Sequence, residues 1–540
     1  MLERIEEKPP FKNSLVKGLK QTYREFCANT SIHGFQYFGQ HRPRKEIIFW
    51  LLVFVITIYF CSSIIVRIYV KWHESPVIVT FSDKPTPIWN IPFPRVTICP
   101  EAKRTMNKTV DDNYLQLMKK LKTFLKQDGK FNENFNESQL EESLTLKQIC
   151  LSDVIELDDI AQPLRPAINY IDILNRMQPS GSKYFLSCSW FGETLFSCDE
   201  LFTKVYTEEG ICYAYNGLKA DDMYRDEVLK SQLRNEPKGS SPLEWTLQKG
   251  YPAHGELHTY PARLLSSGYT SGLEVFLVSY PDEVDSTCNW AMPGFKISLN
   301  SPDEVPILAK HFVPIAGDKK MLIAIKPKMI TTSVDVAAYD ARKRRCFMNE
   351  ERHLRFYKIY SQNNCERECL TNITYSQCGC VHFAMPRFQG TAVCHEDKMD
   401  CMIKSEKQLL LKHFLDNLQG EEQSFEKSID NCNCLPACTS LEYETEITEA
   451  NFDFVNILRD NDLYEDETVW AKFSILSIYF KDSEFITSRR SELYGVTELL
   501  ANFGGVVGLF MGISILSVVE IVYHFTLRLW QKISSMAEAN

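Results

Sequence analysis

Two long apolar stretches, one near each end, stand out in the hydrophobic pattern of this chain of 540 residues. The first, from Ile47 to Val66, has no charged residue. Its length matches the ~20 residues that a helix needs to cross a bilayer. A long polar segment precedes it and no small-residue cleavage pattern follows it, which argues against a signal peptide. The pattern therefore predicts a transmembrane helix over residues 46–68.

The second apolar stretch, from Leu499 to Val522, is as long but is interrupted by polar residues and by four glycines. A buried core helix of a soluble domain is the alternative, but each glycine would weaken such a helix by ~1 kcal/mol. Polar groups such as Ser514 and Glu520 are costly in a membrane and usually face a partner or a water-filled path. We predict a second transmembrane helix over 498–522.

Charge sets the predicted topology. Residues 1–45 carry a net charge of +5 and residues 523–540 a net charge of +1, so the positive-inside rule places both tails in the cytosol. Residues 69–497 then lie outside the cell, and the acidity of the chain, with a net charge of −10 overall, is extracellular. An acidic outer surface concentrates cations near a pore mouth, and it argues against a nucleic-acid partner.

Sixteen of the eighteen cysteines lie between the two stretches, an even number in an oxidising compartment. The cluster from Cys365 to Cys438 has spacings that a zinc site also uses, but disulfides are favoured outside the cell. Three sequons on this side predict glycosylation at Asn107, Asn136 and Asn372.

The region between the stretches has mixed α and β character. Apolar spacing indicates helices over Asp111–Lys126 and Arg355–Cys369, and the polar stretch 127–145 is predicted to be a loop. Runs rich in β-branched and aromatic residues predict strands over Val77–Phe81, Val96–Cys99, Ile211–Asn216, Leu273–Tyr280, Leu322–Ile325 and Val469–Phe480.

Catalytic and metal-binding patterns have little support. His254 and His258 have zinc-protease spacing, but Gly255 stands where that motif needs Glu. The run Arg342–Arg345 is a protease site or, more in keeping with its setting, a solvated charge run. The sequence contains no phosphate loop, nucleophile elbow or dinucleotide fingerprint, so we expect no enzyme, no metal site and no cofactor.

Small residues line one face of the second stretch: Ala501, Gly505, Gly508 and Gly512. Close helix packing of the GxxxG type is one explanation. The other is a pore, because bare backbone at Gly512 and the hydroxyl of Ser514 offer oxygens to a partly dehydrated cation. One helix cannot enclose a pore, so this explanation implies an oligomer.

A family resemblance rests on an ordered set of motifs across roughly residues 20–530. They are Ser31–Gly34, Lys71–Val79, Ile91–Pro100, Glu209–Asn216, Ser488–Gly495, Asn502–Gly505 and Gly508–Leu516. The chain resembles the degenerin/epithelial sodium channel family, most closely its insect pickpocket branch. The resemblance implies a two-span membrane protein with a large disulfide-rich α+β ectodomain (a palm β-sheet, a helical finger and a thumb) in a trimeric, amiloride-sensitive, sodium-permeable channel.

The resemblance also implies disulfide partners. Cys150 and Cys288 are left over, and their pairing with each other is a guess. The implied pairs are Cys99–Cys212, Cys188–Cys198, Cys346–Cys438, Cys365–Cys434, Cys369–Cys432, Cys378–Cys401 and Cys380–Cys394.

Functional positions carry over residue by residue. Gly512, Ile513 and Ser514 align with the selectivity filter, although Ile513 is larger than the usual middle residue. Gly508 aligns with the amiloride-contact position, on the pore face shared by Gly505. Ala501 aligns with the degenerin position, where bulky side chains hold the gate open, and His33-Gly34 with the gating motif before the first span. The Pro-Trp-Gly stretch of acid-sensing relatives is replaced by Arg342–Arg345, which makes proton gating of that type less expected.

These features predict a pore-forming subunit that passes Na⁺ inward across the plasma membrane when the ectodomain gates the second spans, as a homo- or heterotrimer. The main alternative is a non-conducting sensory or regulatory subunit that works only in heteromers. More distant alternatives are a two-span channel gated by extracellular nucleotide and a membrane-tethered ectoenzyme. The sequence does not specify the stimulus that opens the channel.

Overall fold

The computed structural model describes residues 11–39, 42–74, 76–104, 137–150, 168–195, 197–230, 234–235, 243, 245–252, 259–284, 288, 292–308, 311–419, 432–460 and 471–538. The chain divides into two units. The helical unit comprises Met1–Ile78, Ala338–Arg344 and Ser491–Asn540. The β-rich unit comprises Val79–Ala337 and Arg345–Arg490.

The helical unit contains both apolar stretches, Ile47 to Val66 and Leu499 to Val522. Its helices are α1 (Phe11–Asn29), α2 (Gln36–Gly39), α3 (Arg44–Glu74), a short turn of helix at Ala341–Arg344 and, near the C-terminus, Val496–Met511, Ile515–Tyr523 and Leu529–Glu538, the last two joined by a π-helical turn at His524–Arg528. Only α3 is by itself long and apolar enough to cross a membrane among the described residues, and it is longer than the predicted 46–68.

The predicted second transmembrane helix is not one continuous helix. The segment 498–522 is broken between Met511 and Ile515, and the helices on the two sides of the break are bent by 66°. They pass the length and apolarity test for a span only when they are taken together. The predicted helix 498–522 is divided in this way because Gly512 leaves the helical conformation and Ser514 begins a new helix. That the two helices together span a membrane stays a prediction.

The β-rich unit is built on two main sheets, with a third of two strands. Its further helices are α4 (Glu137–Cys150), α5 (Tyr170–Met177), α6 (Ala220–Met223), α7 (Val334–Ala337), α9 (Gln362–Cys378), α10 (Met399–Gln419) and α11 (Phe454–Asp460), where α8 denotes Ala341–Arg344 of the helical unit. The strands are β1 (Val77–Phe81), β2 (Thr86–Pro87), β3 (Arg95–Pro100), β4 (Phe185–Trp190), β5 (Glu193–Leu195), β6 (Thr203–Thr207), β7 (Gly210–Tyr215), β8 (Arg234–Asn235), β9 (Leu273–Ser279), β10 (Phe295–Asn300), β11 (Val313–Ile315), β12 (Lys319–Thr332), β13 (Ser440–Asn451), β14 (Lys472–Phe480), β15 (Glu484–Phe485) and β16 (Ser488–Glu492).

The strand order explains why β3 and β7 are buried along their whole length. The larger sheet has the order β1-β16-β12-β14-β9-β4-β5, with β13 paired to β12, and the second has the order β11-β10-β3-β7-β6-β8. Both β3 and β7 lie inside the second sheet and are buried along their whole length. Strands covered on both faces read as continuous apolar runs rather than alternating ones, and β7 (GICYAY) is such a run.

Each of the six predicted strands overlaps a strand of the structure. The largest difference is at Leu322–Ile325, which is part of the longer strand β12, and residues 469–470 of the predicted Val469–Phe480 lie outside the described residues. The predicted helix Arg355–Cys369 begins later and ends later, as α9. Its N-terminus is fixed by Ser361, whose hydroxyl accepts a hydrogen bond from the backbone N–H of Asn364 at 3.1 Å. The predicted loop 127–145 is wrong over residues 137–145, which belong to α4, and the predicted helix Asp111–Lys126 lies outside the described residues.

All eight disulfides lie in the β-rich unit. They include the seven pairs that the family resemblance implies, and the eighth joins Cys150 to Cys288. Three of them anchor α9 through Cys365, Cys369 and Cys378. The two free cysteines, Cys27 and Cys61, are buried in the helical unit.

Candidate functional site: the break in the second apolar stretch

The break lies at the residues predicted to form a selectivity filter. The helix Val496–Met511, here α12, ends at Gly512, whose φ of +66° is in the left-handed region and whose N–H donates to the carbonyl of Gly508 at 2.9 Å. Ser514 then caps the next helix, Ile515–Tyr523 (α13), in a reciprocal capping box with Ser517. Glycine after a helix and serine before one are the residues that these two positions favour.

The N-terminal segment contacts this break directly. The backbone N–H of His33 donates to the carbonyl of Met511 at 2.9 Å, and so satisfies an acceptor at the helix end. A Cβ atom on Gly512 would lie 2.8 Å from a ring carbon of His33. The left-handed backbone therefore favours glycine at position 512, and a Cβ atom there would fit only if the ring of His33 moved.

A small apolar cluster surrounds this contact. Phe26, Cys27 and Ile32 are buried, and they pack with Phe35, Ile513, Ile521 and Phe525. Ile513, the large residue in the middle of the predicted filter, therefore has an apolar environment within the same chain. A hydrogen bond of 2.9 Å between the hydroxyls of Ser31 and Ser517 joins the same two segments.

Gly34, the second residue of the predicted gating motif, turns the chain toward the first span. Its φ is +86°, and a Cβ atom there would lie 3.8 Å from the ring of Phe54 on α3. Phe35 packs edge-to-face against Phe54 with ring centroids 5.5 Å apart. The His33-Gly34 segment thus contacts both α3 and the break.

Part of the small-residue face of α12 is uncovered in the described part of the chain. Ala501 and Gly505 are exposed, and a Cβ atom on Gly504 or Gly505 would meet nothing within 4 Å among the described residues. Among the described residues, Gly504 and Gly505 therefore make no close helix packing of the GxxxG type. Ala501 precedes Gly512 by eleven positions, which corresponds to about 16 Å along a helix.

A charged contact that sequence reasoning missed joins the N-terminal helix to the C-terminal one. Glu25 of α1 lies 2.6 Å from the ammonium nitrogen of Lys532 and 3.7 Å from Nε of Arg528. Lys532 belongs to α14 (Leu529–Glu538). The Lys532 ammonium holds the pKa of the Glu25 carboxyl below its usual value. No local sequence signal links residues this far apart in the chain.

Comparison with known proteins identifies the family. A profile of the family described as "Amiloride-sensitive sodium channel" matches residues 26–524. The chain belongs to this family. Similar proteins include Pickpocket protein 28 of Drosophila melanogaster, which is 27% identical over 94% of this chain and 79% of its own length. Sodium channel protein Nach of Drosophila melanogaster is 24% identical over 94% and 87%.

The similarity extends to vertebrate proteins. Acid-sensing ion channel 1C of Danio rerio is 24% identical over 92% of this chain and 82% of its own length. As a member of the amiloride-sensitive sodium channel family, the chain belongs to a class of oligomeric plasma-membrane ion channels rather than enzymes. Its disulfide-rich, β-sheet-rich region with helices is the ectodomain of that family.

The other predicted site residues of this channel-family chain are distributed as follows. Asn372 is exposed on α9, whereas Asn107 and Asn136 lie outside the described residues, as do His254 and His258. Within the described part of the chain, no three His, Cys, Asp or Glu side chains group as metal ligands. Glycosylation at the three asparagines remains a prediction.

A buried carboxylate pair in the β-rich unit was also missed. Burial, followed by the charge of neighbouring Asp303, raises the pKa of Glu304 to about 8, and burial raises the pKa of Asp303 as well. Glu304 accepts a hydrogen bond of 2.9 Å from the amide of Asn363. The pair lies in the loop after β10, separated from the end of that strand by two residues, and from sequence alone an Asp-Glu pair in a loop looks solvated. Only the fold, by burying the two carboxyls, raises their pKa values.

Proposed function

We propose that this chain is a pore-forming subunit of an amiloride-sensitive sodium channel, assembled as a homo- or heterotrimer with both termini in the cytosol. Na⁺ passes inward along α12 and the break that follows it, when the ectodomain gates these second spans. The observation that carries the proposal is the break at Gly512–Ser514, held by His33. Backbone carbonyl oxygens at a helix end, and a hydroxyl beside them, can replace water around a partly dehydrated cation.

The exposed small-residue face of α12 supports the same proposal. In a trimer this face would turn toward the axis, so that three copies of Ala501 and Gly505 lie near one another. A large side chain at position 501 would keep the helices from closing. Gly508 on this face is then the position for contact with amiloride, and Gly512, Ile513 and Ser514 form the narrow part of the pore.

Two-electrode voltage clamp in oocytes tests the proposal with wild type and Ala501→Val, with and without amiloride, after surface labelling. We expect a standing inward Na⁺ current in the variant that amiloride blocks. Val506→Ile is the matched control, because it also enlarges an aliphatic side chain of α12 but on a different face. It should leave the current at the wild-type level.

Two outcomes contradict the proposal in different ways. Surface-labelled protein without current from either wild type or Ala501→Val would favour a non-conducting subunit that works only in heteromers. Equal standing currents from Ala501→Val and Val506→Ile would instead retain the channel and reject the assigned pore face.

A further inference from the structure

An ion pair joins the N-terminal helix α1 to the C-terminal helix α14, which packs against it. One carboxylate oxygen of Glu25 lies 2.6 Å from the ammonium nitrogen of Lys532, and the other lies 3.7 Å from Nε of Arg528. Arg528 and Lys532 are four positions apart, so their side chains lie on one face of the C-terminal segment. Two cations from that segment therefore converge on one carboxylate of α1.

The ion pair is partly shielded from water. The side chain of Lys532 is 14% exposed and that of Glu25 is 34% exposed. Phe26, next to Glu25, is buried and packs edge-to-face against the rings of His524 and Phe525, with centroids 5.7 Å and 5.5 Å away. Because reduced hydration strengthens the attraction between opposite charges, this packing stabilises the ion pair.

The end of α1 connects the ion pair to the break in the second apolar stretch. His33 follows Glu25 by eight positions, and its backbone N–H donates to the carbonyl of Met511 at 2.9 Å. Between these two residues, Cys27 is fully buried in the apolar cluster that includes Ile513. Because a helix moves as a rigid element, a displacement of α1 at the ion pair would also displace the segment that contacts the break.

We propose that Glu25, Lys532 and Arg528 are positioning residues for the break at Gly512–Ser514. Their ion pair holds α1 in place, and α1 in turn holds His33 against the end of α12. The C-terminal helix thus contributes to the geometry of the residues that we propose to select Na⁺. The effect on ion selection rests on the proposed pore, whereas the effect on the position of α1 does not.

The rate at which a polar maleimide labels Cys27 tests the position of α1 without any current. The full-length protein in nanodiscs carries Cys61→Ser, which leaves Cys27 as its one free thiol, and Arg528→Gln, which removes the third charge from the pair. Glu25→Lys or Lys532→Glu then opposes like charges and should raise the labelling rate about threefold to fivefold, as an ion pair of modest strength allows. Exchanging both residues should return the rate to within about twofold of the parent.

Arg24→Glu is the matched control, because it reverses an exposed charge of α1 beside the ion pair. It should leave the labelling rate of Cys27 unchanged. Single reversals at Glu25 and Lys532 that do not raise the rate would overturn the proposal. A double exchange that is as reactive as either single reversal would also overturn it, because an ion pair must be restored when its charges are exchanged.

Voltage clamp of the same variants in oocytes tests the effect on ion selection. Each single reversal should lower the Na⁺/K⁺ permeability ratio about twofold to fivefold, and the double exchange should restore it. An unchanged ratio in variants whose Cys27 has become reactive would overturn the positioning role. Surface protein without current from every variant and from the parent would instead contradict the proposed pore, and the labelling of Cys27 would still decide whether the ion pair holds α1.

Discussion

The two units of this chain hold their structure in different ways. The β-rich unit contains all eight disulfides, several of them bracing a single helix, and a large buried core around residues such as Phe93, Ile323 and Phe480. The helical unit has no disulfide among its described residues, and both of its cysteines are free. Contacts between its N- and C-terminal segments include the side chains of Phe26, Ser31 and Glu25 and the backbone N–H of His33.

This difference agrees with the proposed roles of the two units, an ectodomain that gates and second spans that form the pore. Disulfides hold the segments that they join together even when local contacts fluctuate. Each adds about 2–4 kcal/mol to the free energy of unfolding. Contacts such as a hydroxyl pair or an exposed ion pair are worth about 1 kcal/mol or less and can break and re-form. A pore that opens and closes needs reversible contacts around it, and the break at Gly512 is surrounded by contacts of that kind.

The largest expected effect comes from the disulfides. Replacing both Cys365 and Cys434 with Ser removes one bridge of α9 and should lower the stability of the β-rich unit by about 2–5 kcal/mol. We expect a lower apparent melting temperature in detergent and less protein at the cell surface. Cys61→Ser is the control, because it removes a free cysteine of the helical unit. Equal losses from both changes would contradict the comparison.

A smaller effect is expected from one added methyl group at the break. Gly512→Ala places a Cβ atom 2.8 Å from the ring of His33 on a left-handed backbone, which should cost about 1–2 kcal/mol before the clash is counted. We expect reduced current or altered Na⁺/K⁺ selectivity in voltage clamp. Gly504→Ala, where the methyl group meets nothing within 4 Å, is the matched control.

A second substitution separates the two causes at position 512. His33→Ala removes the ring and therefore the clash, but it leaves the backbone strain. The double variant should thus recover part of the function that Gly512→Ala loses. A double variant no better than Gly512→Ala would show that the backbone conformation, rather than contact with His33, makes glycine necessary there.

Local patterns in the sequence predicted local structure well. The charge-free run Ile47–Val66 predicted α3 because a segment long enough to cross a bilayer must be apolar. Aromatic, β-branched runs predicted β7 and β14, because burial in a sheet favours such residues. The break at Gly512 was also accessible, since Gly followed two residues later by Ser fits a helix end and a new N-cap. It was missed because high hydropathy across 498–522 favoured one continuous span.

Contacts between distant segments could not be predicted in this way. Ser31 and Ser517 are 486 positions apart, and nothing near either residue specifies the other. The disulfide partners followed from a family resemblance and not from spacing, because sixteen cysteines allow very many pairings. The buried Asp303–Glu304 pair was missed for a related reason, since burial of a loop is a property of the whole fold.

The smallest expected effect comes from removing the hydrogen bond between Ser31 and Ser517. Ser31→Ala should lower the stability of the helical unit by about 0.5–1.5 kcal/mol, the usual net value of such a bond. Ser517→Ala should cost more, because Ser517 also completes the capping box with Ser514. In the Ser517→Ala background, Ser31→Ala should then cost almost nothing, since its partner is already gone.

A double-mutant cycle on the apparent melting temperature measures this coupling, with the exposed Ser62→Ala as the control. Additive losses would mean that the two hydroxyls act independently, and that the N-terminal segment is held at the break by His33 and the apolar cluster alone.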